Sequence, residues 1–141
     1  MITGSPKPLS MMQGIDATCD AAIFVGYHSR MGTTGVLSHT ISGSSVANVW
    51  INDVIVGETG INAGLAGHFG VPVVMVGGDD ALAKEAKGLL PHVHAAVVKH
   101  AITRYSARCL TPDKAKAVLQ QTATEALTGL KSAKAWLPSS P

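Results

Sequence analysis

The stretch Val71-Pro72-Val73-Val74-Met75-Val76 decides the fold class, because it is continuous, apolar and rich in β-branched residues. Such a run is typical of a strand in a sheet that is covered on both faces. Asp79 or Asp80 can cap the helix that follows, and Pro91 ends it. The apolar positions of this helix keep a helical period: Leu82, Ala86, Leu89 and Leu90. A buried strand followed directly by a helix is the unit of an α/β fold.

The segments on either side alternate in the same way. Apolar runs predict strands over residues 21–28, 95–98 and 103–109. Two shorter runs, 46–51 and 54–56, flank Asn52-Asp53 and predict a hairpin. Helices are predicted over 58–69, with Gly70 as its C-cap, and from a Thr111 cap to Leu130. We therefore expect a layered α/β/α fold with a mixed, partly parallel sheet.

The length of 141 residues fits one domain. We assign residues 1–136 to it and residues 137–141 to an unstructured tail. The first 14 residues match no clear element, and no strand pattern follows the last helix. The sequence therefore predicts an incomplete, truncated domain.

Composition excludes several classes of protein. With 46% hydrophobic and 14% charged residues, the chain is a folded globular protein. A net charge of +2 without a basic run excludes nucleic acid as an expected partner. No apolar stretch reaches the roughly 18 residues of a membrane span, and residues 1–8 hold no secretory signal core. Cys19 and Cys109 lie outside any CxxC spacing, so we expect two reduced, buried thiols and a cytoplasmic protein. Since charge is scarce, we expect much of the surface to be covered, for instance by other subunits of a homo-oligomer.

Three residues form a candidate metal site. His28 ends the first predicted strand, His39 lies in the loop after it, and Glu58 begins a helix. Two imidazoles and a carboxylate suit zinc. From the spacing alone, which matches no HExxH or CxxC pattern, a capped turn with two hydrogen-bonded histidines is the better explanation. The other two glutamates, Glu85 and Glu125, are expected to be solvated charges on helix surfaces.

Other polar or glycine-rich features have simpler explanations. The stretch Gly64–Gly70 resembles a nucleotide-binding loop, but no strand precedes it directly, so helix packing is the better interpretation. The pair Asp79-Asp80 is expected to cap a helix rather than to bind a metal. The remaining histidines are expected to be surface or structural residues: His68, His92, His94 and His100.

A set of short motifs in order and at matching spacing resembles one known family. The motifs are Gly26-Tyr27-His28, Thr34-Gly35-Val36-Leu37-Ser38-His39, Ile51-Asn52-Asp53, Gly57-Glu58, Gly60-Ile61-Asn62-Ala63, Val71-Pro72-Val73, Met75-Val76, Gly78-Asp79-Asp80, Ala83-Lys84-Glu85-Ala86 and Lys99. Together they resemble the zinc-dependent D-aminopeptidase family, also called the dipeptide transport protein A family. The resemblance runs from about residue 3 to about residue 130.

The resemblance implies a cytoplasmic α/β metallopeptidase that releases N-terminal D-amino acids from short peptides. It implies a ring-shaped homo-oligomer with two zinc ions per subunit. His28 and Glu58 fall on zinc-ligand positions, and His39 falls on the catalytic histidine. In such a mechanism a metal-activated water attacks the peptide while the histidine assists proton transfer.

One departure from the family pattern concerns the metal site. The pattern also has an Asp-x-Glu pair and a further histidine in a segment that precedes the matching region. No aspartate of this chain has a glutamate two residues later. The alternative hypothesis is therefore a non-catalytic α/β oligomerisation remnant that has lost its metal site.

Overall fold

A computed structural model of the chain describes residues 1–139, which form short strands and helices in alternation. In chain order the elements are a 3-10 helix (Ser10–Met12), β1 (Ala22–Val25), β2 (Val49–Ile51), β3 (Val54–Val56), α1 (Glu58–His68), β4 (Val73–Asp79), α2 (Asp80–Leu89), β5 (His94–Thr103), β6 (Ser106–Cys109), α3 (Pro112–Thr128) and a second 3-10 helix (Leu130–Ser132).

Within the described residues, four strands form one mixed sheet in the order β1-β4-β5-β6. β1, β4 and β5 are parallel, and β6 turns back antiparallel to β5. Every residue of β4 is buried, because strands flank it on both sides and helices cover both faces. The strand predicted from residues 71–76 is therefore the centre of the fold.

Helices cover the sheet on opposite faces. On one face, α1 and α2 bury Ala66 and Leu82 in a cluster that also holds Val76. On the other face, Ala126 of α3 packs in a cluster with Met75. This arrangement confirms the predicted layered α/β/α fold with a partly parallel sheet.

The predicted hairpin is confirmed and stands apart from the main sheet. β2 and β3 pair antiparallel on either side of Asn52 and Asp53. The φ angles of Asn52 and Asp53 are 46° and 65°. A two-residue type I′ turn requires positive φ at both positions, and Asn and Asp tolerate it better than most residues.

A turn at Gly70 ends α1 and leads the chain into β4. Gly70 has a φ of 76°, which glycine adopts without steric cost. Its N–H donates to the Gly67 carbonyl, and the Val71 N–H donates to the Ala66 carbonyl. This is the hydrogen-bond pattern of a Schellman motif, so the predicted C-cap is confirmed.

Two expectations about single residues were wrong. Cys19 and Cys109 are exposed, because Cys19 lies in the loop before β1 and Cys109 ends the edge strand β6. Thr111 occupies the N-cap of α3, but its side chain makes no capping hydrogen bond. The helix begins there with Pro112 in its first turn and Asp113 beside it.

The C-terminal segment crosses α1. Trp136 packs against the core cluster on that face of the sheet. Gly64 and Gly67 leave the space that it occupies, since an added Cβ at Gly67 would overlap the Trp136 carbonyl oxygen. The glycines of this stretch therefore serve helix packing, as expected. Residues 133–139 have no regular secondary structure, and the tail prediction for Ser140 and Pro141 lies outside the described residues.

Among the described residues, no helix has both the length and the apolar character needed to cross a membrane.

Candidate metal centre

His28 follows β1 through a sharp change of direction. The predicted strand to His28 ends earlier, at Val25, because Gly26 leaves the extended conformation with a φ of 79°. The Tyr27 ring stacks on Phe24 at 4.5 Å between centroids. Its hydroxyl accepts a hydrogen bond from Asn62 Nδ2 at 2.9 Å. Burial raises the pKa of Tyr27, so this hydroxyl stays protonated. These contacts hold His28 beside α1.

Glu58 is the first residue of α1 and is buried at 8% exposure. Gly57 precedes it as the N-cap residue and has no side chain to shield the helix start. Oε1 of Glu58 accepts the backbone N–H of Ile41 at 2.7 Å. A carboxylate at a helix N-terminus is favoured by the helix dipole. By accepting the Ile41 N–H, the Glu58 carboxylate also anchors the loop that carries His39.

His39 lies in a loop of unusual backbone conformation. Leu37 and Ile41, on either side of it, have φ angles of 52° and 60°. A β-branched residue with positive φ is strained and persists only where other contacts impose it. Here the N–H of Leu37 donates to the Arg104 carbonyl at 2.8 Å, and that of Ile41 donates to Glu58. The strain therefore lies next to the candidate site.

The three predicted residues come together. His28 Nε2 lies 3.5 Å from Oε2 of Glu58, and His39 Nε2 lies 3.6 Å from Oε1. The two imidazole rings stack with centroids 3.9 Å apart and planes 20° apart. One ligating atom from each residue falls within 4.8 Å of the others. Within residues 1–139, these three side chains form a group that could hold a metal ion.

Hydrogen bonds fix the orientation of both imidazoles. Nδ1 of His28 lies 3.1 Å from the Ser29 carbonyl oxygen, and Nδ1 of His39 lies 2.7 Å from the Leu37 carbonyl oxygen. A carbonyl can only accept, so each Nδ1 carries a proton and each ring turns its Nε2 towards Glu58. Backbone carbonyls are common outer partners of metal-binding histidines.

This donor set fits a cation. Two Nε2 lone pairs and a carboxylate, with no donor between them, repel one another unless a cation or protons lie there. The spacing also agrees, since a tetrahedral zinc with ordinary Zn–N and Zn–O bonds separates two ligand atoms by about 3.4 Å. His28 Nε2 and Glu58 Oε2 lie 3.5 Å apart. These residues can therefore hold zinc without a large rearrangement.

Glu85 was expected to be a solvated charge, and this was wrong. It points from α2 into the protein, where its Oε2 accepts the backbone N–H of Arg30 at 2.7 Å. Its Oε1 is buried without a hydrogen-bond partner, beside Gly57. Burial raises the pKa of Glu85, and the Arg30 N–H partly offsets that effect. The family motif Ala83–Ala86 included Glu85 but did not indicate its role, because its partners come from other parts of the chain.

Among the other candidates, Asp79 keeps its expected role, but His68 and His100, which were expected to be structural, are exposed. Asp79 is the N-cap of α2 and accepts the N–H of Leu82 at 2.8 Å. His100 pairs with Asp80 at 3.3 Å on the surface. His68 and His92 are exposed, and His94 is half-buried at the start of β5.

The chain is similar to known peptidases over its whole length. A family model described as D-aminopeptidase matches residues 1–141. The D-aminopeptidase of Bacillus subtilis (strain 168) is 45% identical over 138 residues, which are 98% of this chain and 50% of that protein. A solved structure, the Zn-dependent D-aminopeptidase DppA from Bacillus subtilis, a self-compartmentalizing protease, matches with a TM-score of 0.95 and 44% identity. That match covers 98% of this chain and 50% of the other. The chain thus spans about half the length of the relatives that it matches.

Proposed function

The chain belongs to the D-aminopeptidase family, and from this premise we propose that it carries part of the active site of a zinc-dependent aminopeptidase. The proposed substrates are short peptides with an N-terminal D-amino acid. In this proposal His28 and Glu58 bind zinc and His39 moves protons. We also propose that the protein works as a cytoplasmic homo-oligomer, since its solved relative is a self-compartmentalizing protease.

The observation that carries the proposal is the arrangement of the Nε2 atoms of His28 and His39 around one buried carboxylate. A histidine pair that served only to cap a turn would need no carboxylate facing both Nε2 atoms. The 3.5 Å separation of His28 Nε2 and Glu58 Oε2 suits two ligands of one zinc ion.

Exposure supports different roles for the two histidines. The side chain of His28 is 18% exposed and that of His39 is 32% exposed. A ligand is best held rigidly and out of solvent, whereas a group that exchanges protons with a substrate must reach it. We therefore assign metal binding to His28 and proton transfer to His39.

Each residue then has a defined task. Bound zinc would polarise the scissile carbonyl and lower the pKa of a coordinated water. Glu58 holds the His39 loop by accepting the N–H of Ile41. The Leu37 carbonyl keeps the Nδ1 proton of His39, which leaves Nε2 free to accept a proton and to return it to the leaving amine.

Zinc retention tests the proposal. The purified chain is loaded with zinc and dialysed against a mild chelator, and the metal is then counted per chain. We expect wild type to retain zinc and His28→Ala and Glu58→Gln to lose it. Matched controls are His68→Ala and Glu125→Gln, which alter exposed residues on α1 and α3 and should retain zinc as wild type does.

Two results would contradict the proposal. A wild-type chain that retains no zinc would refute zinc binding by these residues and favour the non-catalytic oligomerisation hypothesis. Retention by wild type and by His28→Ala alike would place the metal elsewhere.

A further inference from the structure

We propose that Glu85 is a positioning residue that holds the segment of His28 against the first turn of α1, and so sets the distance between His28 and Glu58. The inference rests on the proposed function for its zinc readout. It concerns a residue that does not itself reach the metal site.

Glu85 lies at a junction of three segments. Its Oε2 accepts the N–H of Arg30, two residues after His28, at 2.7 Å. Its Oε1 lies beside Gly57, the residue before Glu58: a Cβ added at Gly57 would be 2.6 Å from this oxygen. The same Cβ would be 2.8 Å from the Cβ of Arg30. The two ligand-bearing segments therefore meet at the Glu85 carboxylate.

The junction acts at the C-terminal side of His28, while the Tyr27–Asn62 hydrogen bond holds its N-terminal side to α1. Between them, the side chains of His28 and Glu58 approach to 3.5 Å. The Glu85–Arg30 hydrogen bond joins the backbone of one segment to α2, and the close packing at Gly57 joins the start of α1 to the same side chain. A shift of Arg30 or Gly57 would be transmitted over one or two residues to His28 or Glu58.

The unsatisfied oxygen points to more than a packing role. Oε1 of Glu85 is buried beside the backbone of Gly57, and no hydrogen bond of normal geometry satisfies it. A buried polar atom without a partner is costly, and native proteins keep few of them. A carboxylate is kept here at that cost, at the point where the segments that carry His28 and Glu58 meet.

Two substitutions disturb the junction in different ways. Glu85→Ala removes the acceptor of the Arg30 N–H, while Gly57→Ala keeps Glu85 but adds a methyl group 2.6 Å from its Oε1 and 2.8 Å from the Arg30 Cβ. Each should lower the zinc affinity by about 10- to 100-fold. Glu85→Gln keeps an acceptor oxygen of the same reach, and its zinc affinity should stay near that of wild type.

Matched controls separate this effect from general loss of stability. Glu125→Ala removes an exposed glutamate from α3. Gly88→Ala adds a methyl group on α2 that meets nothing within 4 Å. Both should bind zinc as wild type does, and thermal unfolding of every variant shows whether any lost affinity merely follows unfolding.

A second measurement needs no metal. His28 and His39 stack at 3.9 Å, so each shifts the NMR signals of the other's ring protons. In the metal-free chain, Glu85→Ala and Gly57→Ala should reduce these ring-current shifts, and Glu85→Gln should preserve them.

The outcomes are distinguishable. If wild type binds zinc and Glu85→Ala binds it within about threefold, with unchanged ring signals, the positioning role is refuted and the proposed function stands. If wild type binds no zinc, the proposed function fails, and the ring-current shifts decide the role of Glu85 alone. Should Glu85→Ala not fold, the contrast between Glu85→Gln and Gly57→Ala decides it.

Discussion

Oδ2 of Asp79 accepts the backbone N–H of Val36 at 2.6 Å, while its Oδ1 accepts the N–H of Leu82 at 2.8 Å. One buried carboxylate thus caps the N-terminus of α2 and anchors the loop that leads to His39. The contact with Leu82 is local in sequence and follows the rule for helix caps. The contact with Val36 joins segments that are far apart in the chain, and it connects the sheet to the candidate site.

Replacing Asp79 by Ala should lower the free energy of unfolding by about 2 to 4 kcal/mol. The variant loses a helix cap and a buried hydrogen bond to a charged group at once. Urea denaturation followed by circular dichroism measures the change. Asp113→Ala, at an exposed position in the first turn of α3, is the matched control and should cost less than about 1 kcal/mol. Equal losses in the two variants would show that neither the helix cap nor the contact with Val36 contributes measurably.

Replacing His39 by Ala should separate zinc binding from turnover. If His39 moves protons, the variant keeps its zinc, while hydrolysis of a short peptide with an N-terminal D-amino acid falls by about 10²- to 10⁴-fold. Both quantities are measured on the same preparation, by metal analysis and by release of the free amino acid. His92→Ala, at an exposed position, is the control. Loss of zinc in His39→Ala would instead make His39 a third ligand.

The pair formed by Asp80 and the end of β5 should make stability depend on acid pH. Oδ1 of Asp80 accepts the N–H of Ala101 at 2.9 Å, and this hydrogen bond, with a smaller effect of His100, lowers the pKa of Asp80 from its usual 3.8. A carboxyl group whose pKa is lower in the folded protein contributes stability above its unfolded pKa. That contribution disappears as the pH falls through the folded value.

Asp80→Asn should therefore be less stable than wild type at pH 6, and the difference should vanish as the pH falls well below 3.8. The difference stays under about 1 kcal/mol, because the group is exposed and screened by solvent. Denaturation curves across this range measure it. His100→Ala should keep most of the pH dependence, since the Ala101 hydrogen bond is the larger cause. A constant difference at all pH values would contradict this account.

Replacing Gly67 by Ala should displace the segment of Trp136 from α1. The added methyl group overlaps the Trp136 carbonyl oxygen, so the segment must move, at a cost of about 1 to 3 kcal/mol. Tryptophan fluorescence in a Trp50→Phe background, which leaves Trp136 as the reporter, should shift to longer wavelength. Gly88→Ala is again the matched control, and it should be neutral or stabilising because alanine favours a helix interior. Unchanged emission of Gly67→Ala would contradict the packing of Trp136 on α1.

The sequence alone predicted those features that arise from local patterns. The apolar run around Val73 became the buried central strand, and Asn52-Asp53 became a hairpin turn with positive φ at both residues. Gly70 and Asp79 took the cap positions that their residue types favour. Each of these outcomes depends on neighbours within a few residues, which the sequence displays directly.

The predicted boundaries were less accurate because they depend on the backbone as a whole. β1 is shorter than the apolar run that predicted it, since Gly26 turns the chain while Tyr27 keeps packing on Phe24. β5 is longer than residues 95–98, because β6 turns back and supplies hydrogen bonds as far as Thr103. Apolar character does not distinguish residues buried in a strand from those buried beside it.

The sequence by itself determined the layers of the fold and nominated His28, His39 and Glu58. Only the tertiary structure decided that the two imidazoles stack and present Nε2 atoms to one carboxylate. It also decided that the carboxylate of Glu85, a half-buried residue, contacts the two segments that carry His28 and Glu58. The physical reason is that helical or strand periodicity and helix caps depend on contacts between residues that are close in the sequence. Distances between side chains from β1, a loop and two helices depend on how the sheet and helices pack together.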